Sequence, residues 1–256
     1  MYNVQFETQV ADLGTILYCD DSPFDSASEA LLKKSDELIS LRDLAYARVK
    51  EGKNSSVSEN NSYVREGSLF VPNSKNKRIL LRESLVLQNP YLATSFHRSD
   101  KEYDLYNFNV DEYLEKIGAN NYLILKDTTP VLADKFDKDE RTLWMFKDQA
   151  KEYGLLLKDA GIESVNMWFY PGSDRYIDAQ LRPFANQLLL RRLGSNASID
   201  GDEKHLNLNR RVCGVRFESK DLYTSKEVIE ALDNIGIPII GDVEKNLLTE
   251  LYNLKR

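Results

Sequence analysis

Histidine and cysteine are almost missing from this sequence: two of each in 256 residues, at His97, His205, Cys19 and Cys213. None stands at metal-ligand spacing from another, which excludes a zinc finger or ribbon, and two cysteines are too few for a disulfide framework. Both therefore read as ordinary reduced side chains. A catalytic imidazole would have to be His97, in Ser95-Phe96-His97-Arg98, or His205, in an acidic loop, and both read as surface histidines. Long apolar runs are missing too. No stretch approaches the ~20 residues of a bilayer helix, and Met1 to Asp12 lacks a basic segment followed by an apolar one. The expectation is no membrane partner, no leader and a cytoplasmic location. Twelve glycines are present, none arranged as a Walker or dinucleotide-binding loop. The acidic cluster Asp134, Asp137, Asp139 and Glu140 lacks the alternating ligands and turn glycine of an EF-hand. No metal and no cofactor are expected.

What is present is globular. Apolar residues make up 42% and charged residues 29%, far from the low-hydrophobicity signature of disorder. A chain of this length buries roughly 70–75% of its unfolded surface, enough for one large domain or for one domain with an appendage. The net charge of −7 argues against coating nucleic acid along the whole surface. The charge is uneven, however. From Arg175 to Arg216 eight basic residues (Arg175, Arg182, Arg191, Arg192, Lys204, Arg210, Arg211, Arg216) face four acidic ones, a local +4 that leaves −11 elsewhere. Arg191-Arg192 reads as closing a helix, where positive charge complements the macrodipole, and Arg210-Arg211 as opening the last strand.

Along the chain, Ser26 and Glu29 stand at capping-box spacing. Leu31, Leu38, Leu41, Ala45 and Val49 then recur near helical spacing up to Glu51, with Gly52 as a stop, which predicts one long helix. Residues 52–67, rich in Ser, Asn and Gly, read as a flexible loop. Ser68 to Val71 and Arg78 to Leu81 read as a hairpin around Asn73 to Asn76, while Ser84 to Phe96 fits strand or helix. Asn109 and Glu112 open a short helix ending at Gly118. Tyr122 to Leu125, a helix from Asp139 to Gly161 and Val165 to Tyr170 read as a βαβ unit, two parallel strands with a right-handed crossover helix. Ile177, Leu181, Phe184 and Leu188 read as a helix face broken or restarted at Pro183. A polar loop from Gly194 to Asn209 leads to a last strand holding Val212, Val215 and Phe217.

Ligands of open α/β sheets sit beyond the carboxyl ends of parallel strands. Two such ends are visible, Lys126-Asp127-Thr128-Thr129 and Gly172-Ser173-Asp174-Arg175. If the strands are neighbours, Asp127, Thr128, Ser173 and Asp174 form ligand loops for a phosphate or carboxylate, with Arg175 as a planar fork. Otherwise Ser173 or Asp174 caps a helix and Asp127 makes a turn. A phosphatase-like aspartate needs a second carboxylate two residues later, and position 129 is threonine.

The last stretch has Thr224 and Glu227 at capping-box spacing and inner positions Val228 and Leu232. The extended Ile237-Pro238-Ile239-Ile240-Gly241 and a second amphipathic run with Leu247, Leu251 and Leu254 follow. Through Leu232, Gly236, Ile237, Pro238, Gly241, Lys245, Leu247, Leu248 and Leu251, residues 222–256 resemble the SAP and helix-extension-helix family. One extra residue separates Gly241 from the leucine pair, and Glu250 stands where the family commonly has a basic residue. The resemblance implies a two-helix module that contacts nucleic acid chiefly through Lys245, or one that contacts protein.

The sequence thus predicts an α/β or α+β main domain, residues 1–220, with a mixed sheet and packed helices, followed by a small two-helix module at 222–256. Three functions follow. The first is binding of nucleic-acid phosphates through Arg175, Arg182, Arg191, Arg192, Arg210, Arg211 and Lys245. The second is an assembly or adaptor protein that contacts other protein subunits through its C-terminal helices. The third is an enzyme on a phosphorylated small molecule at the two strand ends.

Overall fold

In the computed structural model, residues 3–20, 22–72, 77–99, 101, 103–169, 182–201, 206–208 and 210–217 are described; all belong to one unit, Met1–Phe217. The chain opens with an antiparallel pair, β1 (Gln5–Val10) and β2 (Gly14–Cys19). The expected long helix is two shorter ones, α1 (Phe24–Leu32) and α2 (Leu41–Glu51), with the strand β3 (Glu37–Leu38) between them. Tertiary pairing overrides the helical period here. The amides of Asp36 and Ile39 donate to the carbonyls of Val215 and Cys213, which pulls the connection onto a neighbouring strand. The working cap of α2 is Ser40, whose hydroxyl accepts from the amide of Asp43. Gly52, with φ of 86°, ends α2 as expected.

Residues 52–67 are a second correction. They contain α3 (Ser56–Glu59) and the first part of β4 (Ser62–Val71). Their polarity misleads because several of the polar side chains are buried and bonded, as when Ser58 Oγ donates to the Gly52 carbonyl at 2.8 Å. β4 pairs antiparallel with β5 (Lys77–Leu81), the expected hairpin, with Val71 opposite Lys77. After a 3₁₀ turn at Leu85–Gln88 comes α4 (Pro90–Arg98), with proline in its first turn and Asn89 as cap. β6 (Tyr103–Asp104) is followed by α5 (Val110–Ile117), capped by Asn109 and stopped at Gly118 as the sequence predicts.

The two strands of the expected βαβ unit do run in the same sense in one sheet, with helix between them, but they are not neighbours. β7 (Tyr122–Leu125) pairs with β5, whereas β8 (Val131–Leu132), α6 (Glu140–Phe146) and α7 (Ala150–Asp159) lead to β9 (Ser164–Trp168), which pairs with β8 and with a later strand. The segment read as helical around Pro183 is, in its described part, the strand β10 (Phe184–Leu190), and the supposed polar loop holds β11 (Ser198–Asp200). Every residue of β10 is buried, and a short leucine-rich run buried on both faces carries no alternation to set it apart from a helix. β12 (Val212–Phe217) closes the set.

The described strands form one mixed sheet, ordered β1-β2-β12-β4-β10-β11-β9-β8, with β3 on β12, β6 on β10, and β5 then β7 branching from β4. The β11–β9 and β12–β4 contacts are parallel and the others antiparallel. Period-two alternation sends Ile16, Leu80 and Cys213 to one apolar cluster and Leu17, Leu81 and Val212 to another. Helices α2, α6 and α7 cover the first cluster; α1, α4 and α5 cover the second. Cys19 and Cys213 are both buried and unbridged, on opposite faces. Contrary to the surface reading, His97 is buried, with Nδ1 accepting from the amide of Leu206 at 3.4 Å; α4 is amphipathic, and His97 falls on its inner side beside Ala93 and Thr94. His205 lies outside the described residues. No helix among the described residues is long and apolar enough to cross a membrane.

Candidate functional site

Where the chain leaves β5 it crosses close over β4, and a cleft of about 580 Å³ opens beside that crossing. The crossing depends on Gly67: a Cβ there would lie 2.7 Å from the Cα and 2.6 Å from the Cβ of Ser84, so any side chain would displace the Arg82–Ser84 segment. That segment is pinned by backbone bonds from the amide of Ser84 to the Arg65 carbonyl and from the amide of Arg82 to the Asn121 carbonyl, both 3.0 Å.

The cleft has an apolar wall and a charged floor. Leu32 at the end of α1, Leu38, Leu87, and Tyr113 and Ile117 of α5 supply the wall, and Leu32 remains 51% exposed. The charges are Glu37, Arg65, Arg82 and Glu83. Arg65 and Glu37 satisfy one another in a half-buried ion pair. Arg82 lies 3.8 Å above the ring of Trp144, and among the described residues it makes no ion pair. Burial pulls its guanidinium below the ordinary arginine value, against the pull of Glu66. Glu83 is exposed and also makes no ion pair among the described residues. The Tyr113 hydroxyl titrates above its usual value, through burial and then through the charge of Glu83. On the opposite side of β4 the buried Glu66 accepts from the amide of Leu41 at 2.9 Å, at the start of α2, and burial pushes its carboxyl up to about 7. The sequence alone points to none of these residues, since they are spread from Leu32 to Asn121 with no shared motif; the one legible signal is the consecutive Arg82 and Glu83 at a strand end.

The residues that the sequence does single out are not brought together here. Asp127 is exposed and forms a turn: its Oδ1 accepts from the amide and hydroxyl of Thr129 and from Arg141 Nη1 at 2.8 Å. These bonds, led by the Thr129 hydroxyl, hold its carboxyl below the usual range. Thr128 lies within that turn. Arg182 pairs with Asp104 at 3.1 Å and stacks on Tyr106, Arg191 pairs with the buried Asp200, and Arg211 pairs with Glu7 and stacks 3.8 Å above Tyr18. Arg210 is half-buried, and Arg192 is exposed with no ion pair among the described residues. Both arginine pairs flank strands, so Arg191 and Arg192 follow β10 and close no helix. Ser173, Asp174, Arg175 and Lys245, with the whole of 222–256, lie outside the described residues. No cluster of His, Cys, Asp and Glu able to hold a metal occurs among the described residues.

No protein-family model matches the chain, and no curated protein matches it. Among solved structures the chain is similar to a protein described for the accommodation of massive sequence variation in Nanoarchaeota by the C-type lectin fold. The TM-score is 0.56 at 16% identity, over 84% of this chain and 98% of that one. At that identity the likeness shows the fold alone: this chain is an α+β, mixed-sheet protein with a C-type lectin-like fold.

Proposed function

We propose that this chain is a ligand-binding protein whose recognition site is the cleft between α1, β3 and α5. The observation that carries the reading is the cleft itself: about 580 Å³ with an apolar wall and two charged side chains, Arg82 and Glu83, that make no ion pair among the described residues. Sites for small molecules have this size and this pairing of apolar lining with a few polar anchors. The neutral fluorophore N-phenyl-1-naphthylamine tests it. Its emission is expected to rise on mixing with the folded protein, and to stay at the free-dye level with Ile117→Trp, which fills the cleft from α5. Equal emission from both proteins at equal thermal stability would place the dye elsewhere and remove the reading.

A second reading keeps nucleic acid as the partner, favoured by the exposed Arg192 and by the basic excess from Arg175 to Arg216. Arg175 and Lys245 belong to this reading as well. Here Arg192→Glu is expected to weaken binding of labelled single-stranded nucleic acid and to lower its salt dependence by about one counterion, the share of a single phosphate. An unchanged salt slope would end it.

A further inference from the structure

We infer that the cleft takes a small organic cation, one ammonium on an apolar body, with the ammonium on Glu83 beside Tyr113 and the body against Leu32, Leu87 and Ile117. This rests on the cleft being a binding site and adds the class of ligand.

The cleft lies on the face of the sheet covered by α1 and α5, and only one of its two arginines turns its charge to that face. Arg82 borders the cleft, but its guanidinium lies 3.8 Å above the ring of Trp144 in α6, which covers the other face, and the carboxylate of Glu66 acts on it there. Arg65 lines the cleft and is satisfied in place by Glu37, which lines it too. The further charges that act on Glu37, those of Asp43 and Asp36, are acidic as well. Glu83 is thus the one cleft charge on this face without an ion pair among the described residues: it is exposed, it lines the cleft, and its charge acts on the Tyr113 hydroxyl. A single unpaired carboxylate attracts a cation and repels an anion. Tyr113 supplies the two other groups that attract an ammonium, an oxygen that accepts from its N–H and an aromatic ring. The wall then selects the rest of the molecule. Leu32 is half exposed in the free protein, and Leu87 and Ile117 are partly buried, so an apolar body displaces water from surface that folding leaves wet.

Calorimetric titration of the full chain decides the matter, with three probes of one shape: 3-phenylpropylamine, a cation; 3-phenylpropan-1-ol, neutral; and 3-phenylpropanoate, an anion. The amine is expected to bind at one site, about tenfold tighter than the alcohol, and the propanoate more weakly than either. Glu83→Gln, a change at an exposed side chain, is expected to bring the amine down to the affinity of the alcohol, to leave the alcohol unchanged and to strengthen the propanoate. Tyr113→Leu, which keeps the wall apolar, is expected to weaken the amine more than the alcohol. An amine that binds no tighter than the alcohol, or whose advantage survives Glu83→Gln in a protein of unchanged thermal stability, overturns the assignment. If the neutral fluorophore occupies the cleft while the amine binds no tighter than the alcohol, the cation assignment falls and the binding site stands; if neither the fluorophore nor any probe binds, both fall.

Discussion

Arg48→Met is expected to lower the free energy of unfolding by about 4 kcal/mol and the melting temperature by roughly 10 °C. Arg48 is fully buried, and its guanidinium donates in four directions. Nε bonds the Val57 carbonyl at 2.9 Å, Nη2 the Asn60 carbonyl at 2.9 Å, and Nη1 both the Arg191 carbonyl at 2.7 Å and the Tyr153 hydroxyl at 3.0 Å. A single side chain on α2 therefore ties down α3, the start of β4, the end of β10 and helix α7. Methionine keeps most of the volume and supplies no donor. The three carbonyls and the hydroxyl would then stay buried without it, at about 1–3 kcal/mol for each acceptor left unsatisfied. Removing a buried charge returns part of that, which sets the estimate toward the low end of the sum. Arg48→Lys should fall between the two, since one ammonium cannot reach four acceptors spread around a planar fork. Denaturant unfolding checks both. A loss below about 1 kcal/mol for Arg48→Met would mean that the acceptors find water or new partners.

Arg48 also shows why residues 52–67 read as a loop. A segment of serines, asparagines and a glycine looks solvated from composition, yet its carbonyls are held by a guanidinium that the sequence places in a helix nine residues before Val57. Local signals are legible wherever the deciding contact is local. Asn109 and Gly118 bound α5, Asp139 caps α6, and β4 and β5 pair as the expected hairpin. Signals fail where a distant strand decides the conformation. Asp36 and Ile39 leave the helical path because β12 offers them carbonyls. Phe184 to Leu190 forms a strand because β4 flanks it over most of its length, with β6 and β11 beside its two ends. The same cause hides the cleft: Leu32, Arg65, Arg82 and Tyr113 meet only after the sheet is assembled. The arginine-rich segment is legible as charge but not as chemistry, because Asp104, Asp200 and Glu7, the acids that pair with three of its members, come from other strands or from farther along the chain.

Glu66→Gln is expected to stabilise the protein at pH 8 by about 3 kcal/mol relative to its effect at pH 4.5, and to flatten the dependence of stability on pH between those values. Burial raises the Glu66 carboxyl to about 7, opposed by hydrogen bonds from the amide of Leu41 and from its own amide and by the charges of Arg65 and Arg82. The unfolded chain gives the same group a value near the ordinary glutamate one. Between those two values the folded state holds a proton that the unfolded state has released, so stability falls as pH rises through that window. Below it both states are protonated and the group contributes no pH dependence; above it both are ionised, and the folded state carries the full cost of a buried carboxylate. Glutamine keeps the acceptor for the Leu41 amide and never ionises, so the penalty disappears at high pH only. Parallel unfolding curves for the two proteins at pH 5 and pH 8 would show that Arg65 and Arg82 compensate the charge fully. In that event Glu66 is an ordinary ionised partner of the two arginines, whose charges offset the cost of its burial.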